Sequence, residues 1–234
     1  LRELIAAGHI APGVVDERDI NYIRPDELTG YRQCHFFAGL GGWSRALRLA
    51  SWPDDRPVWT GSCPCQPFSA AGKRRGFDDK RHLWPAWFWL IEQCRPDVVF
   101  GEQVAGTDGL AWLDLVSADL EGIEYTVGAA NLCAAGLGAP HIRQRLWFVA
   151  NANGARLQTR NVGQKSSSAE AILAWSEFAG IHAAGNWKAW DAQSTIPVFA
   201  HGIPNRVGKV RAYGNAIVPQ VAAAFIRAAE GVIS

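Results

Sequence analysis

The stretch Gly61-Ser62-Cys63-Pro64-Cys65-Gln66-Pro67-Phe68-Ser69 follows a short apolar run and holds the residue best suited to chemistry in this sequence. Its prolines and polar residues argue against burial of Cys65 in a regular element. A thiol at the C-terminal edge of a parallel sheet stands where doubly wound folds place reactive groups, and a neighbouring cation or helix end favours the thiolate. The plain alternative is a buried structural cysteine. Directly downstream, Gly72 to Arg81 carries five cations (Lys73, Arg74, Arg75, Lys80, Arg81) between glycines. Such a run is either a solvated loop or a mobile loop that closes over a phosphate backbone beside the nucleophile. Glu102 follows the apolar run Val98 to Phe100, and a partly buried carboxylate at a strand end can donate a proton. Arg143 and Arg145 lead into another apolar run, where strand alternation would point both the same way. Phe37-Ala38-Gly39-Leu40-Gly41-Gly42 reads as a turn between strand and helix whose amides could face an anionic group; a plain turn is as good a reading. Tyr213 to Gln220, taken alone, is an ordinary turn before a helix.

Positioning these residues requires strands that end where they stand. The pattern predicts a short helix at Leu1 to Ala7, a turn-rich stretch to Tyr31, a strand from Gln33 to Ala38, and a helix from Trp43 to Ala50. Further strands are expected at Val58 to Gly61, Asp97 to Phe100, Tyr125 to Leu132 and Leu146 to Ala150. Helices are expected at Trp84 to Cys94, at Leu110 to Leu120 and, Ala-rich, at Pro219 to Ile233. Strands alternating with helices indicate an α/β fold with a mostly parallel sheet. After Ala150 the composition turns polar, and Ile172 to Trp190 carries Trp175, Trp187 and Trp190 without clear periodicity, so a small appended region is expected there. No internal repeat is present.

The chain has 234 residues, 48% hydrophobic and 19% charged, enough for a sizeable core and unlike disordered or fibrous chains. A net charge of +1 leaves nucleic-acid binding to local clusters. Its apolar runs are too short to span a bilayer and no signal peptide opens the chain, so a soluble, cytoplasmic protein is expected. Five cysteines without paired spacing argue against a disulfide framework and a zinc site, and no metal is expected. The sequence holds no Met and opens at Leu1, which suggests a start lying upstream.

Taken together and in order, these motifs resemble the cytosine-5 DNA methyltransferase family, of bacterial or phage type. The resemblance rests on Phe37 to Gly42 (F-x-G-x-G-G), Pro64-Cys65-Gln66, the Gly72 to Arg81 loop, Glu102-Gln103-Val104 for E-N-V, His141 to Arg145 for Q-x-R-x-R, and Gly214-Asn215-Ala216. It covers Cys34 to Ala150 and Pro204 to the C-terminus. It implies a Rossmann-like sheet binding S-adenosyl-L-methionine, with double-stranded DNA as partner, a role in DNA methylation of the restriction-modification kind, and a monomer. Cys65 would add to carbon 6 of a flipped cytosine, with Glu102 at ring nitrogen 3 and Arg145, supported by Arg143, at the carbonyl side. Phe37, Ala38, Gly39, Leu40, Gly41, Gly42, Pro64, Asn215 and Ala216 would line the cofactor. Gln66, Ser69, Lys73, Arg74, Arg75 and Arg81 would meet DNA.

One departure bears on the order of units. The family places two strand-helix units between the glycine-loop helix and the strand leading to the cysteine, whereas only Leu49 to Pro57 stands there. The segment Val15 to Leu28 is similar to the missing unit, with Asp19 and Ile20 as the pair flanking the adenine. This implies a circular permutation in which residues 1–33 carry an adenine-binding unit ahead of the glycine loop, within a catalytic domain spanning 1–150. Residues 151–203 would then form a short target-recognition region, and 204–234 would return to the catalytic domain. Two rival classes stay open: the same thiol addition on RNA or a pyrimidine nucleotide, and a catalytically silent DNA-binding relative.

Overall fold

The computed structural model describes residues 1–64, 83–139, 141–152 and 216–233. Five strands form one sheet in the order β1-β2-β3-β5-β4. They are β1 (Gln33–Phe36), β2 (Val58–Gly61), β3 (Val98–Val104), β4 (Thr126–Cys133) and β5 (Gln144–Asn151). The first three run parallel, as expected, while β5 is antiparallel to both β3 and β4. The mostly parallel expectation therefore meets a β4–β5 hairpin, whose short connection contains a single 3-10 turn at Ala135–Leu137. A connection that short can join only antiparallel neighbours.

Helices cover both faces. On one side α2 (Gly42–Leu49) packs on α5 (Pro219–Ile233), burying Trp43, Ala46, Leu47, Phe225 and Ile226 against Val98, Phe100, Trp147 and Val149. On the other, α3 (Trp84–Cys94) and α4 (Thr107–Gly122) bury Trp84, Trp87, Trp112 and Leu113 against Trp59, Val99, Leu146 and Phe148. The split follows strand alternation, since even residues of β3 face α2 and α5 while odd residues face α3 and α4. Every residue of β3 from Val98 to Gln103 is buried, as a central strand covered on both faces requires.

α3 stops where its sequence says it should, whereas α4 runs past the expected Leu110 to Leu120 at both ends. Pro85 sits in the first turn of α3, where its missing N–H costs nothing, and Arg95 ends it in the left-handed region (φ 49°) ahead of Pro96. Two strand glycines make room for aromatic rings: a Cβ on Gly61 would lie 2.5 Å from Trp87, and one on Gly101 would lie 2.0 Å from Phe148.

The N-terminal segment begins with α1 (Arg2–Ala6) and forms no strand. Ile10 is buried and the Ala11 amide donates to Ser44 Oγ of α2 at 3.0 Å, so the segment lies along the start of that helix. It then crosses to the α3 face, where 3-10 turns at Ile20–Tyr22 and Pro25–Leu28 pack through Ile20, Ile23 and Leu28. Arg18 binds both Asp16 and Glu27 and closes this arm on itself. The region expected between 151 and 203 falls almost entirely outside the described residues.

Candidate active site

The C-terminal ends of β1, β2 and β3 and the start of β5 meet at one edge of the sheet, and Glu102, Arg143, Arg145, Pro64 and the Phe37 to Gly42 turn lie along it, whereas Asp19 and Ile20 belong to the N-terminal arm. Glu102 belongs to β3 itself, because the strand runs on to Val104 instead of stopping at Phe100. There it stands opposite Trp147 and diagonal to Arg145, which pairs with Val104. That diagonal is within reach of a long side chain, and Arg145 Nε lies 2.8 Å from Glu102 Oε1. Both side chains are largely withdrawn from water. Burial raises the Glu102 carboxyl above its ordinary range, against the opposing pull of Arg145, a hydrogen bond from Ser62, and Arg143.

The strand starts two residues earlier than expected and takes in Arg145, while Arg143 lies one residue before it, so strand alternation alone does not place Arg143. Its Nη2 donates to the Ala216 carbonyl at 2.7 Å, and its charge is felt by Glu102. Burial, and then the like charge of Arg145, hold the Arg143 guanidinium below its usual pKa, with Glu102 opposing.

Two supports escaped the sequence reading. Ser62 accepts from Trp43 Nε1 at 3.0 Å and in turn bonds Glu102, making a Trp43–Ser62–Glu102 relay from α2 to the acid. Counting alternation on from Thr60, the residue that faces α2, reaches Ser62 and would have found it. Gln103 is buried, donates to the Cys63 carbonyl at 3.3 Å and accepts from the Val104 amide at 2.9 Å, tying the end of β2 to β3. Pro64 is exposed just beyond that tie. Cys65, Gln66, Ser69, Lys73, Arg74, Arg75, Arg81 and Asn215 lie outside the described residues.

The glycine turn sits at the end of β1. Phe37, Gly39 and Gly41 take φ of 53°, 51° and 79°, and α2 starts at once behind Gly41. A phenylalanine in the left-handed region costs roughly 1–2 kcal/mol, which surrounding structure must hold in place. Leu1 and Ile10 close over Gly41, and Ile217 over Gly42, where a Cβ would fall 2.5 Å from Ile217 Cγ1. Gly39 is different: a Cβ there would meet nothing nearer than the Phe37 carbonyl oxygen at 3.9 Å, and Leu40 beside it is exposed. The turn thus opens outward at Gly39, ahead of the free amides of α2. Ala38 is half-buried within it. Beneath, His35 Nδ1 lies 2.7 Å from Thr60 Oγ1, its Nε2 is buried with no hydrogen-bond partner among the described residues, and burial lowers its pKa to about 4. An open glycine cradle, amides at a helix start and an unmatched buried nitrogen fit a polar ligand with an anionic end.

Asp19 caps the Ile20–Tyr22 turn, accepting from the Asn21 amide at 2.9 Å, and Ile20 is half-buried beside α3. Among the described thiols, burial pushes Cys34 up to about 12 and Cys94 upward. Cys133 goes down: burial would raise it, but the backbone N–H groups of Gly136, Ala135 and Arg143 prevail. Among the described residues no group of three or more His, Cys, Asp or Glu could hold a metal ion, and no helix is long and apolar enough to cross a membrane.

Comparison with known proteins follows the same residues. The family model described as C-5 cytosine-specific DNA methylase matches residues 49–176, which include Cys65, Glu102, Arg143 and Arg145. Type II methyltransferase M.HhaI of Haemophilus parahaemolyticus is 27% identical over 175 residues, covering 58% of this chain and 54% of that protein. Type II methyltransferase M.AplI of Arthrospira platensis is 34% identical over 104 residues, covering 44% of this chain and 29% of that protein. The chain thus spans about half or less of the length of these relatives. A crystal structure of a Spodoptera frugiperda DNMT2 mutant aligns at 16% identity and a TM-score of 0.43, covering 58% of this chain and 54% of the other. With more than half of its length under that one family model, the chain belongs to the C-5 cytosine-specific DNA methylase family.

Proposed function

We propose that this chain transfers a methyl group from S-adenosylmethionine to carbon 5 of a cytosine flipped out of duplex DNA. The observation that carries the reading is the buried Glu102–Arg145 pair, set at the sheet edge beside the end of β2 from which Pro64 and Cys65 follow. Carbon 5 of cytosine is a poor nucleophile. Addition of the Cys65 thiolate to carbon 6 forms an S–C bond and moves the ring's electron pair toward nitrogen 3, where Glu102 supplies a proton. A carboxyl whose pKa burial raises is suited to that role, and Arg145 offers a fixed cation to the ring carbonyl in a site from which water is largely excluded. Bound S-adenosylmethionine would supply the methyl group to carbon 5 and leave as S-adenosylhomocysteine, while Glu102 takes the nitrogen 3 proton back. Loss of the carbon 5 proton then expels Cys65. The open turn at Gly39 and the amides of α2 would hold the methionyl end of the cofactor. Asp19 and Ile20 would flank its adenine, in the permuted order that places 1–33 ahead of the glycine loop. A base in a duplex cannot reach a buried acid, so it must leave the stack.

The test is covalent trapping. The chain is incubated with S-adenosylmethionine and a randomised duplex pool carrying 5-fluorocytosine; fluorine cannot leave as a proton does, so a stable protein–DNA adduct is expected from wild type. The adduct should vanish in Cys65→Ala and persist in Cys133→Ala, which removes the described thiol whose pKa the neighbouring backbone N–H groups lower. Absence of the adduct in wild type, or its loss through Cys133 alone, overturns the reading. An adduct on RNA but not on DNA would reassign the substrate.

A further inference from the structure

Besides the Trp43–Ser62–Glu102 relay, the side chain of Arg143 joins the two halves of the site. Arg143 Nη2 holds the Ala216 carbonyl at 2.7 Å. The next residue, Ile217, lies so close over the start of α2 that any side chain at Gly42 would strike it, with Cγ1 2.5 Å from the Cβ position. On its other side, the Arg143 charge acts on Glu102, which pairs with Arg145 at 2.8 Å. A path of contacts therefore runs from the glycine turn through Ile217 and Ala216 to Arg143, which leads by one intervening residue to Arg145, the partner of the acid. We propose that Arg143 is a positioning residue that couples occupancy of the glycine turn to the placement of the Glu102–Arg145 pair, and that it acts through Ala216 instead of touching the base. This rests on the functional reading above and adds to it a linkage between the two ligands.

The physical basis is packing. Ile217, Val221 and Ala222 are buried, so a shift of the segment over Gly42 cannot be absorbed by solvent-exposed slack and must move the Ala216 carbonyl. Arg143 follows that carbonyl, since a half-buried guanidinium that loses this acceptor keeps a partly desolvated donor without it. Coupling of this kind is reciprocal: whatever the cofactor side does for the base side, the base side returns.

The experiment measures binding. Affinity of the full chain for a randomised duplex pool is determined with and without S-adenosylhomocysteine, and affinity for S-adenosylhomocysteine alone by calorimetry. Wild type is expected to bind DNA about tenfold tighter with the cofactor product present, within the range of roughly 5–150-fold seen for such coupling. In Arg143→Ala that ratio should fall below about twofold, and Arg143→Lys, with one donor left for Ala216, should fall between. A merely structural role would weaken both single-ligand affinities and leave the ratio in place. An Arg143→Ala ratio equal to that of wild type overturns the proposal. If Arg143→Ala does not melt cooperatively, Arg143→Lys decides alone, because a point-like ammonium cannot reproduce the guanidinium fork: an unchanged ratio overturns the proposal. Wild type binding both ligands without coupling overturns the strut alone, whereas wild type binding neither overturns the functional reading with it.

Discussion

Glu102 and Arg145 show how burial can dominate over pairing at the level of single residues. A surface carboxylate beside an arginine would be stabilised as the anion, yet the desolvation of Glu102 at the sheet edge outweighs the attraction and raises its pKa. The sign for stability follows. A carboxyl raised in the folded state favours folding fully at pH values below its ordinary one near 4.5, and that contribution is lost as pH rises through the raised value. Glu102→Gln carries no such loss. Urea unfolding at pH 4.5 and pH 8 should therefore show the variant gaining on wild type as pH rises (~4 to 8, the span covered). A difference that stays level or moves the other way would mean that Arg145 and Ser62 outweigh burial. The same change should slow methyl transfer by about 10²-fold or more, as expected for loss of a positioned acid.

At the scale of elements, the contact between the start of α2 and the segment entering α5 fixes the site. Gly42 lets Ile217 approach, and a methyl at residue 42 would force the two helices apart. Gly42→Ala should cost about 1–3 kcal/mol, as overpacking in a well-filled core does. Gly122→Ala, where a Cβ meets nothing within 4 Å, should be neutral or stabilise by ~0.5–1 kcal/mol. Denaturant midpoints of the two variants check both signs; equal effects would show that the α2–α5 contact tolerates a wider spacing. The strand boundaries teach a related lesson. β3 extends through Glu102 to Val104 because the hairpin strand β5 pairs along its whole length, a register that local composition does not announce.

For the whole molecule, the order of units is the main question. The family resemblance of Val15 to Leu28 led us to place an adenine-binding unit before the glycine turn. The structure puts the Ile20–Tyr22 and Pro25–Leu28 turns against α3, within the same apolar cluster as Cys34 of β1 and Trp59 of β2. We propose on that basis that Asp19 serves the cofactor. Asp19→Ala should then weaken S-adenosylhomocysteine binding by about tenfold or more, the worth of one charge-assisted hydrogen bond, while DNA affinity in its absence stays within about twofold. Calorimetry and filter binding measure the two. Unchanged affinity for the cofactor product would remove the permutation from the account and leave an N-terminal arm that only packs.

Types and spacing of residues pointed to a turn between β1 and α2, to Glu102 and the arginines near strand ends, and to nearly every described helix and strand, because turn chemistry and apolar periodicity are local properties of a chain. Trp84 to Cys94 was legible to the residue, with its proline at the start and Arg-Pro at the end. What only the tertiary structure decided were relations across the sheet: that Glu102 lies diagonal to Arg145, that Ser62 links Trp43 to the acid, that Gln103 fastens β2, and that Arg143 reaches forward to Ala216. Those depend on register and on which side chains share a face after folding. Desolvation shifts the pKa of Glu102 up and of Arg143 down there, and it comes from neighbours distant in sequence that no local pattern names.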